Sequence, residues 1–111
     1  MAPQSLDQFV NDRVVLDTAG PIIYIGQLVS HGPEGYWLMD ADMHDRNEGH
    51  STKEQYIDEA CRLEREGTRR TTRRKVFVER SAVISVSAVH DIVCEDRTIG
   101  EDSGDAALGG G

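Results

Sequence analysis

Ile22-Ile23-Tyr24-Ile25-Gly26-Gln27-Leu28-Val29-Ser30-His31 is the stretch whose reading decides the fold. It is rich in β-branched residues, apolar on both faces, and interrupted near its centre by a glycine. A glycine inside so strong a strand signal marks a bulge or a sharp bend where a sheet curls. The stretch therefore predicts a bent strand of a small barrel.

On its N-terminal side, Arg13-Val14-Val15-Leu16-Asp17 reads as a strand, and Thr18-Ala19-Gly20-Pro21 as the turn that completes a hairpin. Leu6, Phe9 and Val10 fall at helical spacing after Ser5, which predicts one short capped helix laid on the barrel. On the C-terminal side, Gly32-Pro33-Glu34-Gly35 is a compact turn, and Tyr36-Trp37-Leu38-Met39 restarts the strand. Period-2 geometry carried through Asp40 to Asp45 groups Trp37, Met39, Ala41 and Met43 on one face, with Leu38, Asp40, Asp42 and His44 on the other. One face is core and the other is solvent. A lone Trp in an apolar strand reads as core, so Trp37 is expected inside, and Tyr36, beside the turn, is the open aromatic.

The apolar pattern then breaks. Ser51-Thr52-Lys53-Glu54 has capping-box spacing and opens a helix expected to run to about Glu66, with Tyr56, Ile57, Ala60 and Leu63 as its apolar stripe. Cys61 beside that stripe reads as a packing residue, and Gly67 is placed to end the helix. Arg69-Arg70-Thr71-Thr72-Arg73-Arg74-Lys75 concentrates five of the chain's 12 basic residues and leads into Val76-Phe77-Val78. A tight corner at Glu79-Arg80-Ser81 joins that strand to Ala82-Val83-Ile84-Ser85-Val86. Residues 94–111 are acidic and then glycine-rich and read as a tail, which leaves one domain over 1–93 with an insertion at about 46–74.

Composition sets limits on function. The 111 residues, 38% hydrophobic, suffice for one modest core. Twenty acids against 12 Lys and Arg give a net charge of -8, so any nucleic-acid contact must come from a local basic patch. The first residues lack the apolar run of a signal peptide and no stretch is long enough to span a bilayer, so the expectation is a cytoplasmic protein with no membrane partner. Two distant cysteines fit a reducing compartment, and neither a cofactor nor a metal is expected.

The order of elements resembles the Sm-like (LSm) family: a short helix and then a five-stranded, strongly bent barrel of SH3 type. The match covers roughly residues 6–46 and 73–93. It rests on Val14 and Leu16, on Ile25-Gly26-Gln27-Leu28-Val29, on Trp37-Leu38-Met39-Asp40-Ala41 and on Val83-Ile84-Ser85-Val86. The resemblance implies rings in which strand four of one copy pairs with strand five of the next, with Val76, Phe77, Val78, Val83, Ile84 and Val86 at those edges. It also implies RNA contact through an Asp and an Asn around the turn between strands two and three, and an Arg-Gly pair at the corner between strands four and five. Here those places hold Gly32, Tyr36, Glu79 and Arg80, so the usual signature is missing.

Function is thereby moved toward the insertion. The leading expectation is a ring-forming, RNA-associated protein with Tyr36, Arg69, Arg70, Arg73, Arg74, Lys75 and Arg80 as candidate contacts. The bland reading of the basic run is a solvated or ion-paired surface facing the protein's own acids. The competing class is an interaction or assembly scaffold with no nucleic-acid role, whose inserted helix binds a protein partner or covers its own barrel. Asp40, Asp42, His44 and Asp45 were weighed as a cation site and read instead as an acidic strand end. His31, His44, His50 and His90 accompany no nucleophile motif, so an enzyme is not expected.

Overall fold

The computed structural model describes residues 5–48 and 51–93. Five antiparallel strands follow the apolar runs: β1 (Arg13–Thr18), β2 (Ile22–His31), β3 (Gly35–Asp45), β4 (Arg73–Glu79) and β5 (Val83–Ala88). One α-helix, α1 (Lys53–Arg65), lies between β3 and β4. The N-terminal helix is a single 3-10 turn, Leu6–Phe9, and further 3-10 turns form the β4–β5 corner (Arg80–Ala82) and follow β5 (Val89–Asp91). Strand order is β4-β3-β2-β1-β5, which makes β4 and β5 the two edges of the sheet.

The sheet has two clothed faces. On the inner face Val14, Leu16, Leu28, Leu38, Ala41 and Val78 form the main core, with Leu6, Phe9 and Val10 packed against it. On the outer face Val15, Ile23 and Ile25 meet Tyr56, Ile57 and Ala60 of α1, together with Val89 and Ile92. Burying a side chain such as Leu16 or Ile23 contributes about 1.5–3 kcal/mol, so the insertion is an integral part of the fold rather than an appendage. Tyr56, Ile57 and Ala60 of its apolar stripe pack on its own barrel.

Gly26 is required by close approach. A Cβ there would sit 2.9 Å from the Ala41 Cβ and 3.2 Å from the Leu38 Cβ. The β2–β3 register slips between Ile25 and Gln27 at the same point, which is the expected bend.

The same slip corrects the assignment of faces in β3. Asp40 adopts φ 50°, and Gln27 pairs with Met39 whereas Ile25 pairs with Asp42, so β3 carries one extra residue at Asp40. The alternation therefore changes phase. Leu38 and Ala41 both reach the inner core, whereas Trp37, Met39, Asp42 and His44 belong to the outer side. Trp37 is 39% exposed and Tyr36 only 6%, the reverse of the expectation for these two aromatics.

The helix start is also displaced by one residue. Thr52, not Ser51, is the N-cap: its hydroxyl accepts from the Gln55 N–H while the Gln55 side chain accepts from the Thr52 N–H. Both capping-box spacings coexist in Ser51-Thr52-Lys53-Glu54-Gln55, and docking of Lys53 selects the second. At the other end Gly67 takes φ 82°, with bonds from the Gly67 N–H to the Glu64 carbonyl and from the Thr68 N–H to the Leu63 carbonyl. The expected tail, 94–111, lies outside the described residues.

Candidate functional site

Polar contacts of Asp42, Lys53 and Arg13 anchor the insertion, and they decide which charges remain available. Asp42 accepts from the Tyr56 hydroxyl at 2.7 Å and from the Thr72 hydroxyl at 2.9 Å, joining β3, α1 and the approach to β4. The His44 ring stacks on Tyr56 with centroids 4.6 Å apart. Burial first, and then the Asp42 carboxylate, push the Tyr56 phenol well above its ordinary pKa range. Lys53 donates to the Asp17 carboxylate (2.7 Å) and to the carbonyls of Thr18 (2.9 Å) and Gly20 (2.7 Å), so its three protons clamp the first hairpin turn. Arg13 holds Glu64 through Nε and Nη2, and its Nη1 donates to the Asp40 carbonyl.

The basic run divides in two. Arg69 lies 3.7 Å from Glu64 and Arg70 lies 3.0 Å from Glu59, both acids of α1. These two arginines face the protein's own carboxylates. Arg73, Arg74, Lys75 and Arg80 are exposed and have no acidic partner among the described residues. Arg73 donates to the Thr72 hydroxyl, and the Lys75 ammonium stands 4.8 Å from the centre of the Trp37 ring.

The structure does bring together the two turns that carry the family's RNA signature. Gly35 pairs with Glu79, and the Arg80 N–H donates to the Glu34 carbonyl, so the β2–β3 turn and the β4–β5 corner are neighbours. Their chemistry is not that of a phosphate site: Glu34 and Glu79 flank the single cation Arg80, and Tyr36 is buried in the core with no open ring to offer. Tyr36 is thus removed from the candidate contacts.

Both strand edges are open. Val76 and Val78 on β4, and Val83 and Val86 on β5, turn toward the inner core, whereas Phe77 is 37% and Ile84 64% exposed. A groove of about 460 Å³ lies between β4 and the first hairpin, with Ile22, Tyr24, Phe77, Val78 and Ala82 in its walls. The edges therefore offer backbone groups together with apolar surface.

The remaining candidates are dispersed. His31 bonds Asp7 at 2.7 Å, His44 bonds the Ser51 carbonyl, and His90 lies between Asp12 and Asp91. Asp45 accepts from the Asn47 N–H, and Asp42 is occupied by Tyr56 and Thr72. His50 lies outside the described residues. Trp37 is the surface residue that sequence reasoning missed.

The chain matches no protein-family model and no curated protein sequence. Its likenesses are structural. The Pyrococcus abyssii Sm protein, solved in complex with a uridine heptamer, is similar over 78% of this chain and 99% of its own, at 14% identity and a TM-score of 0.51. A chain in the crystal structure of the NatC complex bound to CoA is similar over 79% of this chain and 88% of its own, at 17% identity and a TM-score of 0.50. The bent five-stranded sheet and these likenesses define the class: the protein has the Sm fold. It is a divergent example, with a helix between β3 and β4 and without the RNA-reading residues of the two adjoining turns. No helix among the described residues is long and apolar enough to cross a membrane.

Proposed function

We propose that the protein is a non-catalytic assembly module that joins copies of itself through β4 and β5. The observation that carries this reading is the strand order, which leaves β4 and β5 unpaired at opposite edges, each bearing one exposed apolar residue, Phe77 and Ile84. An open edge of this kind is a template for another strand. Because the two edges differ, the contact is head-to-tail, and such contacts close into rings or continue as filaments. A closed ring is the reading favoured by the resemblance to Sm-like proteins. Ile84→Lys places a charge on a residue that the barrel does not bury. In sedimentation this variant is expected as single copies where the wild type sediments as an assembly, and an unshifted assembly would count against the β5 edge.

A second reading is favoured by the unpaired cations of β4. The Pyrococcus abyssii Sm protein of the same fold was solved with a uridine heptamer. In this chain the adjoining turns are acidic, so RNA contact falls instead to Arg73, Arg74 and Lys75. Replacing all three by Ala and following RNA affinity against salt tests it. Single-stranded contacts release about 0.7 counterions per phosphate, so the full loss flattens the log–log slope by about 2.

A further inference from the structure

We infer that the uncovered part of the outer face, around Trp37 on β3 and Lys75 and Phe77 on β4, binds single-stranded RNA by stacking bases on its rings. This names the ligand chemistry of the second reading and rests on it.

The outer face is half clothed. Helix α1, with Val89 and Ile92, covers Val15, Ile23 and Ile25. Beyond the helix the same face continues bare over Trp37, Met39 and Phe77, each 37–39% exposed. Trp37 and Phe77 are cross-strand partners with centroids 5.0 Å apart and rings tilted by 55°. Two aromatic rings fixed on a paired strand lose little conformational freedom when a ligand stacks on them.

Charge selects the occupant. Arg13, Lys53, Arg69 and Arg70, which surround α1, all have carboxylate partners. Arg73 and Lys75 have none among the described residues; Lys75 stands on the same side of β4 as Phe77, the two pairing with Met39 and Trp37, and Arg73 precedes Lys75 by two residues. Lys75 already places a cation 4.8 Å from the Trp37 ring. A nucleotide carries an anion and a π-face within one unit, so phosphate and base find partners side by side. An apolar protein surface would match the rings and leave the cations unused.

Trp37 is the chain's single tryptophan, so indole emission reports on this face in the unaltered protein. The full chain is titrated with unlabelled oligouridine and oligoadenine, and in parallel with inorganic polyphosphate, which offers charge without bases. The expected result is saturable loss of emission with both oligonucleotides and none with polyphosphate, with Trp37→Ala weakening RNA binding about tenfold. Binding with a salt slope of about -2 but unchanged emission would overturn the stacking site and leave RNA contact along β4 standing. Equal quenching by polyphosphate would also overturn it. Absence of any RNA binding would overturn both.

Discussion

The Tyr56 hydroxyl donates to the Asp42 carboxylate across 2.7 Å with both residues buried, and through this pair the inserted helix is fastened to the barrel. Asp42 is available for it because the extra residue at Asp40 turns position 42 toward the outer face. A backbone irregularity in β3 thus sets where the helix docks.

Alkaline pH separates this pair from the rest of the protein. Below about pH 10 Tyr56 is protonated in both folded and unfolded chains. Above it the unfolded chain releases the proton while the folded chain, whose phenol is held up by burial and by Asp42, retains it. The unfolded state then binds fewer protons, and stability falls by about 1.4 kcal/mol per pH unit. Tyr56→Phe is expected to lose about 1.5–3 kcal/mol at neutral pH and to show a shallower alkaline decline in urea unfolding.

Lys53 makes a prediction about the first hairpin. Lys53→Met keeps the aliphatic stem but leaves Asp17 and the Thr18 and Gly20 carbonyls without their shared donor. A loss of about 1–3 kcal/mol follows. Hydrogen exchange of the 17–21 turn and of the first turn of α1 should rise together, because one ammonium holds both.

The assignment of faces in β3 is tested by two neighbours. Leu38→Ala, at a fully buried site, is expected to cost about 2–5 kcal/mol. Trp37→Ala gives up mainly the pairing with Phe77, about 0.5–1.5 kcal/mol. Thermal or urea unfolding that found Trp37 the costlier of the two would contradict the assignment of faces.

The succession of strands along the chain and the presence of an inserted helix were legible because they rest on local signals. The β-branched runs, the turn at Gly32 to Gly35 and the glycine in β2 each speak for themselves. The site was not. Reading Trp37 as core and Tyr36 as open exchanged their environments, and period-2 reasoning carried past Asp40 grouped Ala41 with Met39, whereas the extra residue there places Ala41 with Leu38. The basic run looked uniform in sequence, yet Glu59 and Glu64 of α1 take up Arg70 and Arg69 and leave only the β4 end open. Such pairing depends on where a helix docks, and linear spacing does not contain it.

Gly26→Ala probes the bend itself. The added methyl would meet Ala41 and Leu38 inside contact distance on neighbouring backbone, so β2 and β3 must separate locally. About 1–3 kcal/mol of destabilisation is expected, read as a lower urea midpoint with an unchanged slope.

Native mass spectrometry of the full chain tests the central claim most directly. Assembly through β4 and β5 predicts one dominant species at a fixed whole-number multiple of the 12.3 kDa chain, since a ring that closes admits one size. A 12.3 kDa monomer persisting at high concentration would contradict edge-to-edge assembly, and an unbounded ladder of sizes would contradict closure.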